Sequence, residues 1–169
     1  MNPKKRVLIV DDHPLFREGI KALIARSPAF EVVGEAGSGE EGLRLAKELH
    51  PDLAIVDVSL PDTTGIEVTR QMRAGFPHVR ILIVSMHSKI DYITEAFKAG
   101  AAGYIIKESA ADRVVQGIEA VSRGEYFLDS ALSHKVVKKL VGVPEKDARS
   151  TDRGYNTLTS REQEIMRLL

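Results

Sequence analysis

Short runs of aliphatic, often β-branched residues recur along the chain at 7–10, 32–33, 53–56, 81–84 and 104–106. Each is separated from the next by a stretch long enough for a crossover helix. The runs are apolar at successive rather than alternate positions, as in strands buried on both faces. Helical spacing fills the intervals: Phe16, Ile20, Leu23 and Ile24 share one face, and so do Ile90, Ile93 and Phe97. Pro14 suits a first helical turn, and Ser38 with Glu41 and Ser109 with Asp112 are spaced as capping boxes. This alternation predicts an α/β fold, a doubly wound five-stranded parallel sheet between two helical layers.

The pattern changes after Gly124. Leu132, Val136, Val137 and Leu140 predict a connecting helix over residues 130–140, with Lys135, Lys138 and Lys139 on its solvated face. Residues 143–156 are polar and read as a linker, and a further helix opens at Thr159, which is spaced from Glu162 as a capping box. The expected organisation is a domain over residues 1–124, a connecting helix and linker over 125–156, and the start of a second, helical module over 157–169.

Composition narrows the chemistry. Cysteine is absent, which excludes thiol catalysis, disulfides and cysteine zinc sites and fits a reducing, cytoplasmic setting. The basic start runs into Asp11 and Asp12 instead of a secretion segment, and no apolar stretch approaches the roughly 20 residues that cross a bilayer. No membrane role is expected. The 24 basic and 24 acidic residues cancel, so any contact with nucleic acid must come from a local module.

Asp11 and Asp12 close the first strand and Asp57 the third, and in an open parallel sheet the carboxyl ends of the strands share the ligand crevice. Three converging carboxylates repel one another unless a cation joins them, and a hard, oxygen-rich, partly open site suits Mg²⁺. Carboxylate is a competent nucleophile toward phosphoryl groups. Ser85 and Lys107 end the fourth and fifth strands and bring a hydroxyl and a positive charge to the same crevice. His13 and His87 lie near it, but a lone histidine seldom makes a metal site, and neither is assigned as a ligand. The run Gly37-Ser38-Gly39-Glu40-Glu41-Gly42 fits a dinucleotide fingerprint, yet the Ser38–Glu41 capping box accounts for the same residues.

These residues carry a resemblance. Val7-Leu8-Ile9-Val10-Asp11-Asp12-His13, the stretch from Asp57 through Pro61 to Gly65, Ser85, and Gly103-Tyr104-Ile105-Ile106-Lys107 resemble the receiver domain of two-component response regulators, with its flavodoxin-like fold. The resemblance implies that Asp57 accepts a phosphoryl group from a sensor histidine kinase, and that Mg²⁺ is held by Asp11, Asp12, Asp57 and the backbone carbonyl of Ser59. It further implies that Lys107 contacts the phosphoryl oxygens and that Ser85 and Tyr104 form the switch pair. Many relatives place proline after the lysine with a cis bond; here the pair is Lys107-Glu108, for which cis would cost about 3 kcal/mol, so the geometry of this loop stays open.

Leu158-Thr159-x-Arg161-Glu162-x-Glu164-Ile165 resembles the opening of a LuxR-type helix-turn-helix, which together with the receiver motifs implies the NarL/FixJ group. The implied function is phosphorylation-driven homodimerisation and, in the full-length protein, regulation of transcription through DNA; this stretch lacks a recognition helix of its own. The protein would be a signalling switch and not an enzyme beyond its own phosphoryl transfer and hydrolysis. Two alternatives remain. A stand-alone receiver would act through protein contacts, and a haloacid-dehalogenase-type phosphatase also uses an aspartyl nucleophile, but Ser59 stands where such enzymes carry their second acid.

Overall fold

A computed structural model describes residues 3–142. In chain order the elements are β1 (Lys5–Val10), α1 (Pro14–Ala25), β2 (Phe30–Ala36), α2 (Gly39–Leu49), β3 (Leu53–Val56), α3 (Gly65–Gly75), β4 (Arg80–Ser85), α4 (Ile90–Ala99) and β5 (Gly103–Ile106). A 3-10 turn (Lys107–Ser109), α5 (Ala110–Ser122), β6 (Phe127–Leu128) and α6 (Ser130–Leu140) follow. The strands form one parallel sheet in the order β2-β1-β3-β4-β5-β6. Chain direction across the sheet reverses between β1 and β3, the place where such folds open a crevice.

The continuous apolar runs do what their pattern requires. Val7 to Val10, Leu53 to Val56 and Ile81 to Val84 are buried throughout, feeding alternate side chains to two cores. One core lies under α2, α3 and α4 and contains Val10, Val56, Ile83, Val68, Met72, Ile93 and Phe97; the other lies under α1 and α5 and contains Ile9, Ile55, Leu82, Ile20, Ile24, Val114 and Ile118. Each fully buried aliphatic side chain contributes about 1.5–3 kcal/mol. Of the helix faces read from the sequence, Ile20, Ile24, Ile93 and Phe97 are buried, while Phe16, Leu23 and Ile90 pack against the cores at their margins.

Three details differ from the sequence reading. The sheet has six strands and not five: Phe127 and Leu128 pair with Gly103 and Tyr104, a contact too short to leave a periodic signal. β2 is an edge strand with Glu31 exposed, so it is not buried on both faces. The Ser109 capping box does not form, because the 3-10 turn puts Ser109 in helical backbone geometry without a side-chain cap bond. Elsewhere the start signals work: Pro14 begins α1, and the Ser38 hydroxyl accepts from the Glu41 amide at 3.2 Å. Thr64, not singled out in the sequence, caps α3 in the same way, accepting from the Glu67 amide at 3.1 Å.

α6 spans the predicted residues 130–140, but it does more than connect. Leu132 and Val136 are buried in the same core as Tyr104, and Leu128 and Leu140 pack against it. Asp129 caps the helix by accepting from the Ala131 amide at 3.2 Å, and its own amide donates to the Tyr104 carbonyl at 3.1 Å. Lys135 and Lys139 are exposed and Lys138 is half-buried. The linker and the helix opening at Thr159 lie outside the described residues.

Candidate functional site: an acidic crevice at the carboxyl ends of three strands

The register of the sheet brings the acids together. Asp11 follows β1, its amide donating to the Ala36 carbonyl of β2 at 2.9 Å, and Asp57 follows β3, its amide donating to the Val10 carbonyl at 2.9 Å. Each backbone therefore continues the ladder for one residue beyond its strand. Asp11, Asp12, His13 and Asp57 each offer a ligand atom, and all four atoms lie within 4.8 Å of one another. Asp11 and Asp57 are buried, at 2% exposure each, whereas Asp12 and His13 face solvent.

Lys107, carried in from the end of β5, balances the two buried carboxylates. Its Nζ lies 2.8 Å from Asp11 Oδ2 and 3.0 Å from Asp57 Oδ2, and it sits 4.5 Å from the centre of the Phe16 ring. The Lys107–Glu108 peptide is trans. Burial pushes the Asp57 carboxyl above its usual range; Lys107 pulls it back, and the neighbouring charge of Asp11 pushes it further up. Asp57 thus carries its negative charge at a cost, and a cation would relieve it.

His13 is in the cluster, although the sequence reading does not assign it. Its Nδ1 lies 3.0 Å from Asp11 Oδ1, 3.1 Å from Asp12 Oδ1 and 3.7 Å from Asp57 Oδ2. With Nδ1 donating to a carboxylate, its 3.1 Å approach to Lys107 Nζ is a contact between two donors and not a hydrogen bond. Position alone, directly after Asp11-Asp12, is the signal that could have found it.

The loop after β3 is tightly built. The Ser59 amide approaches Asp57 Oδ1 at 3.3 Å, Ser59 bridges to Thr64, and the Gly65 amide donates to the Val58 carbonyl at 2.8 Å. A Cβ on Gly65 would stand 1.9 Å from the carbonyl oxygen of Asp57, so only glycine lets α3 begin against the acidic residue. Asp62, in the same loop, caps α2 by accepting from the amides of Gly39 and Glu40 at 2.8 and 2.9 Å. Those bonds hold the Asp62 carboxyl below its usual range. They also occupy the amides that a dinucleotide phosphate would need, in keeping with the capping reading of that glycine-rich run.

Ser85 ends β4 and Tyr104 lies within the neighbouring β5, and both are fully buried. His87 joins them: its amide donates to Ser85 Oγ at 3.0 Å, and its carbonyl accepts from the Tyr104 hydroxyl at 2.7 Å. The His87 ring stacks on Tyr92 of α4 at 4.1 Å and its Nε2 lies 3.0 Å from Ser59 Oγ. Burial pushes the Tyr104 hydroxyl up to about 12, against the pull of Ser85. The ring of Tyr104 therefore lies inward, neutral, behind the crevice.

Comparison with known proteins agrees with this geometry. A family model described as the response regulator receiver domain matches residues 7–119. The chain belongs to the response regulator receiver family. This response regulator is similar to the transcriptional regulatory protein DegU of Brevibacillus brevis, 33% identical over 98% of this chain and 75% of that one. It is likewise similar to the nitrate/nitrite response regulator protein NarL of Escherichia coli K12, 34% identical over 96% of this chain and 74% of the relative. Among solved structures, a LuxR-family two-component response regulator from Aurantimonas sp. SI85-9A1 is 39% identical with a TM-score of 0.79, covering 82% of this chain and 99% of the other. The protein is thus a phosphorylation-activated response regulator of the NarL and LuxR kind, a signalling protein with an acidic pocket. Among its described residues no helix is long and apolar enough to cross a membrane.

Proposed function

We propose that this response regulator accepts a phosphoryl group on Asp57 from a sensor histidine kinase, that phosphorylation drives homodimerisation, and that the full-length protein regulates transcription through DNA in the cytoplasm. The observation that carries this reading is the convergence of Asp11, Asp12 and Asp57 on one point with Lys107 between the two buried carboxylates. In this reading residues 1–124 are the receiver, 125–156 the connecting helix and linker, and 157–169 the opening of a LuxR-type helix-turn-helix. The name of DegU, a transcriptional regulatory protein, supports the transcriptional output.

The donor set fits a hard divalent cation: three carboxylates within reach of one point, two of them buried and only partly neutralised by Lys107. Asp11, Asp12, Asp57 and the Ser59 carbonyl would hold Mg²⁺, which when bound supplies positive charge against the repulsion between carboxylate and phosphoryl oxygens. The chain does the rest. An Asp57 carboxylate oxygen attacks phosphorus as the bond to the donor's nitrogen breaks and that nitrogen retains its electron pair. Lys107, freed from sharing two carboxylates, pairs with the phosphoryl oxygens. The Ser85 hydroxyl, now an acceptor for the His87 amide, turns to donate to the same group, and Tyr104 keeps its inward place behind it. Beyond this transfer and the hydrolysis of its product the protein has no reaction of its own.

The test is labelling with a small phosphodonor in Mg²⁺, read by intact mass, beside light scattering with and without beryllofluoride. Wild type gains one phosphoryl group and shifts to dimer on treatment, and Asp57→Asn does neither. Equal labelling of Asp57→Asn overturns the assignment of the acceptor, and a wild type indifferent to beryllofluoride overturns the dimer.

A further inference from the structure

Next to the acidic cluster, on its β2 side, lies a small ion-pair assembly that the phosphoryl chemistry does not use. Arg17, in the first turns of α1, reaches over the end of β1 and donates from Nη1 to the main-chain carbonyl of Asp11 at 2.5 Å. The same guanidinium donates from Nε to Glu35 Oε1 at 3.1 Å. Glu35 lies on β2 opposite Ile9, and its other oxygen takes Lys21 Nζ at 2.8 Å. We propose that Arg17, braced by Glu35, is a positioning residue that sets the divalent-cation affinity of the Asp11–Asp12 pair. The inference rests on the reading of the crevice as a Mg²⁺ site and deepens it.

The argument runs through one peptide plane. The Asp11 carbonyl and the Asp12 amide belong to the same rigid unit. The Asp11 amide is already fixed to Ala36, so once Arg17 holds the carbonyl the direction in which Asp12 leaves β1 is fixed as well. Asp12 has need of this support, since it is the exposed member of the three carboxylates while Asp11 and Asp57 are pinned by burial and by Lys107. The planar fork of arginine suits the task, because Nε and Nη1 bond two targets in fixed relative directions. An ammonium in its place has no such geometry. Glu35 stays ionised for the work, held below its usual range first by Lys21, and Arg17 itself is largely covered, at 20% exposure.

The sign of the effect separates positioning from simple electrostatics. Arg17 is a positive charge beside a cation site, so by charge alone its removal tightens Mg²⁺ binding. Positioning predicts the reverse. The experiment is calorimetric titration of the metal-free protein with Mg²⁺ for wild type, Arg17→Ala, Arg17→Lys and Asp12→Asn, with thermal melts alongside. Arg17→Ala is expected to weaken Mg²⁺ binding about tenfold, the low end for loss of a group that orients a metal ligand. Arg17→Lys, with its charge intact, falls between, and the labelling rate at saturating Mg²⁺ stays at the wild-type value in both. Should Arg17→Ala fail to fold, Arg17→Lys decides. Affinity equal to or tighter than wild type in the folded Arg17 variants, with Asp12→Asn weakened, overturns this inference and leaves the metal site standing. If instead Asp12→Asn binds Mg²⁺ as wild type does, or wild type does not bind it, the metal site itself falls and this inference with it.

Discussion

Replacing Asp57 by asparagine is expected to stabilise the fold at neutral pH, an unusual outcome for a change at a functional position. The side chain is 2% exposed, it stands beside Asp11, and burial raises its carboxyl above the unfolded-chain value of about 3.9. Below about pH 4 the group is neutral in both folded and unfolded protein, and its burial is cheapest. As pH rises between the unfolded and the folded values, the unfolded chain gives up a proton that the native protein retains, so stability falls across that interval. Above the folded value the whole cost of the buried charge is present. With Lys107 offsetting only part of the penalty, the net gain for Asp57→Asn is expected to be that of an ordinary single substitution, on the order of 1 kcal/mol. For a chain of this size that raises the midpoint of thermal unfolding by about 2–4 °C. The assay is circular dichroism melting in chelator at several pH values from 4 to 8. The gap should open as pH rises and then level off. Mg²⁺ at about ten times its dissociation constant stabilises wild type by about 1.4 kcal/mol and closes the gap. An asparagine variant that melts below wild type in chelator at pH 8 would refute the claim that the crevice stores repulsion.

Three further substitutions probe other parts of the same account. Lys107→Met leaves Asp11 and Asp57 buried without their counter-charge and is expected to cost about 3–5 kcal/mol by urea denaturation in chelator, with a part recovered in Mg²⁺; a neutral result would mean the lysine carries little of the balance. Gly65→Ala drives a methyl group into the Asp57 carbonyl and should cost about 3 kcal/mol or more while also slowing phosphoryl labelling, so an unchanged variant would contradict the packing of α3. Leu132→Ala is expected to lose about 2–5 kcal/mol if α6 belongs to the core, whereas a change within about 0.5 kcal/mol would show that the helix is only loosely attached.

What could be read from the sequence follows a physical division. β1, β3, β4 and β5 are legible because strands covered on both faces must be apolar at successive positions, and once their order is fixed their final residues meet. Asp11, Asp12, Asp57 and Lys107 are strand-end residues of this kind. β2 is blurred by Glu31 and Glu35, as an edge strand half open to solvent is bound to be, and β6 is two residues long. The remaining site residues act by reach. Arg17 spans to Glu35, Asp62 to the start of α2 and His87 to Ser59, contacts set by side-chain length and loop path and not by any period in the chain. His13 is not legible because a solitary imidazole carries little weight until its neighbours are placed around it. At Ser109 the local spacing was correct for a cap, but the turn that delivers Lys107 to the crevice uses the same residues, and tertiary need overrode local preference.

The seam between β5 and the final helix has a mechanical implication. One short stretch supplies the ladder bonds at Phe127 and Leu128, the Asp129 amide on the Tyr104 carbonyl, and two greasy anchors, Leu132 and Val136, in the compartment that also houses the Tyr104 ring. Peeling the helix away would break a sheet border, orphan a carbonyl and wet an oily seat in a single event, so intermediate degrees of detachment have nothing to rest on. Such a fastening yields abruptly or not at all, and whatever disturbs Tyr104 pulls on its clasp.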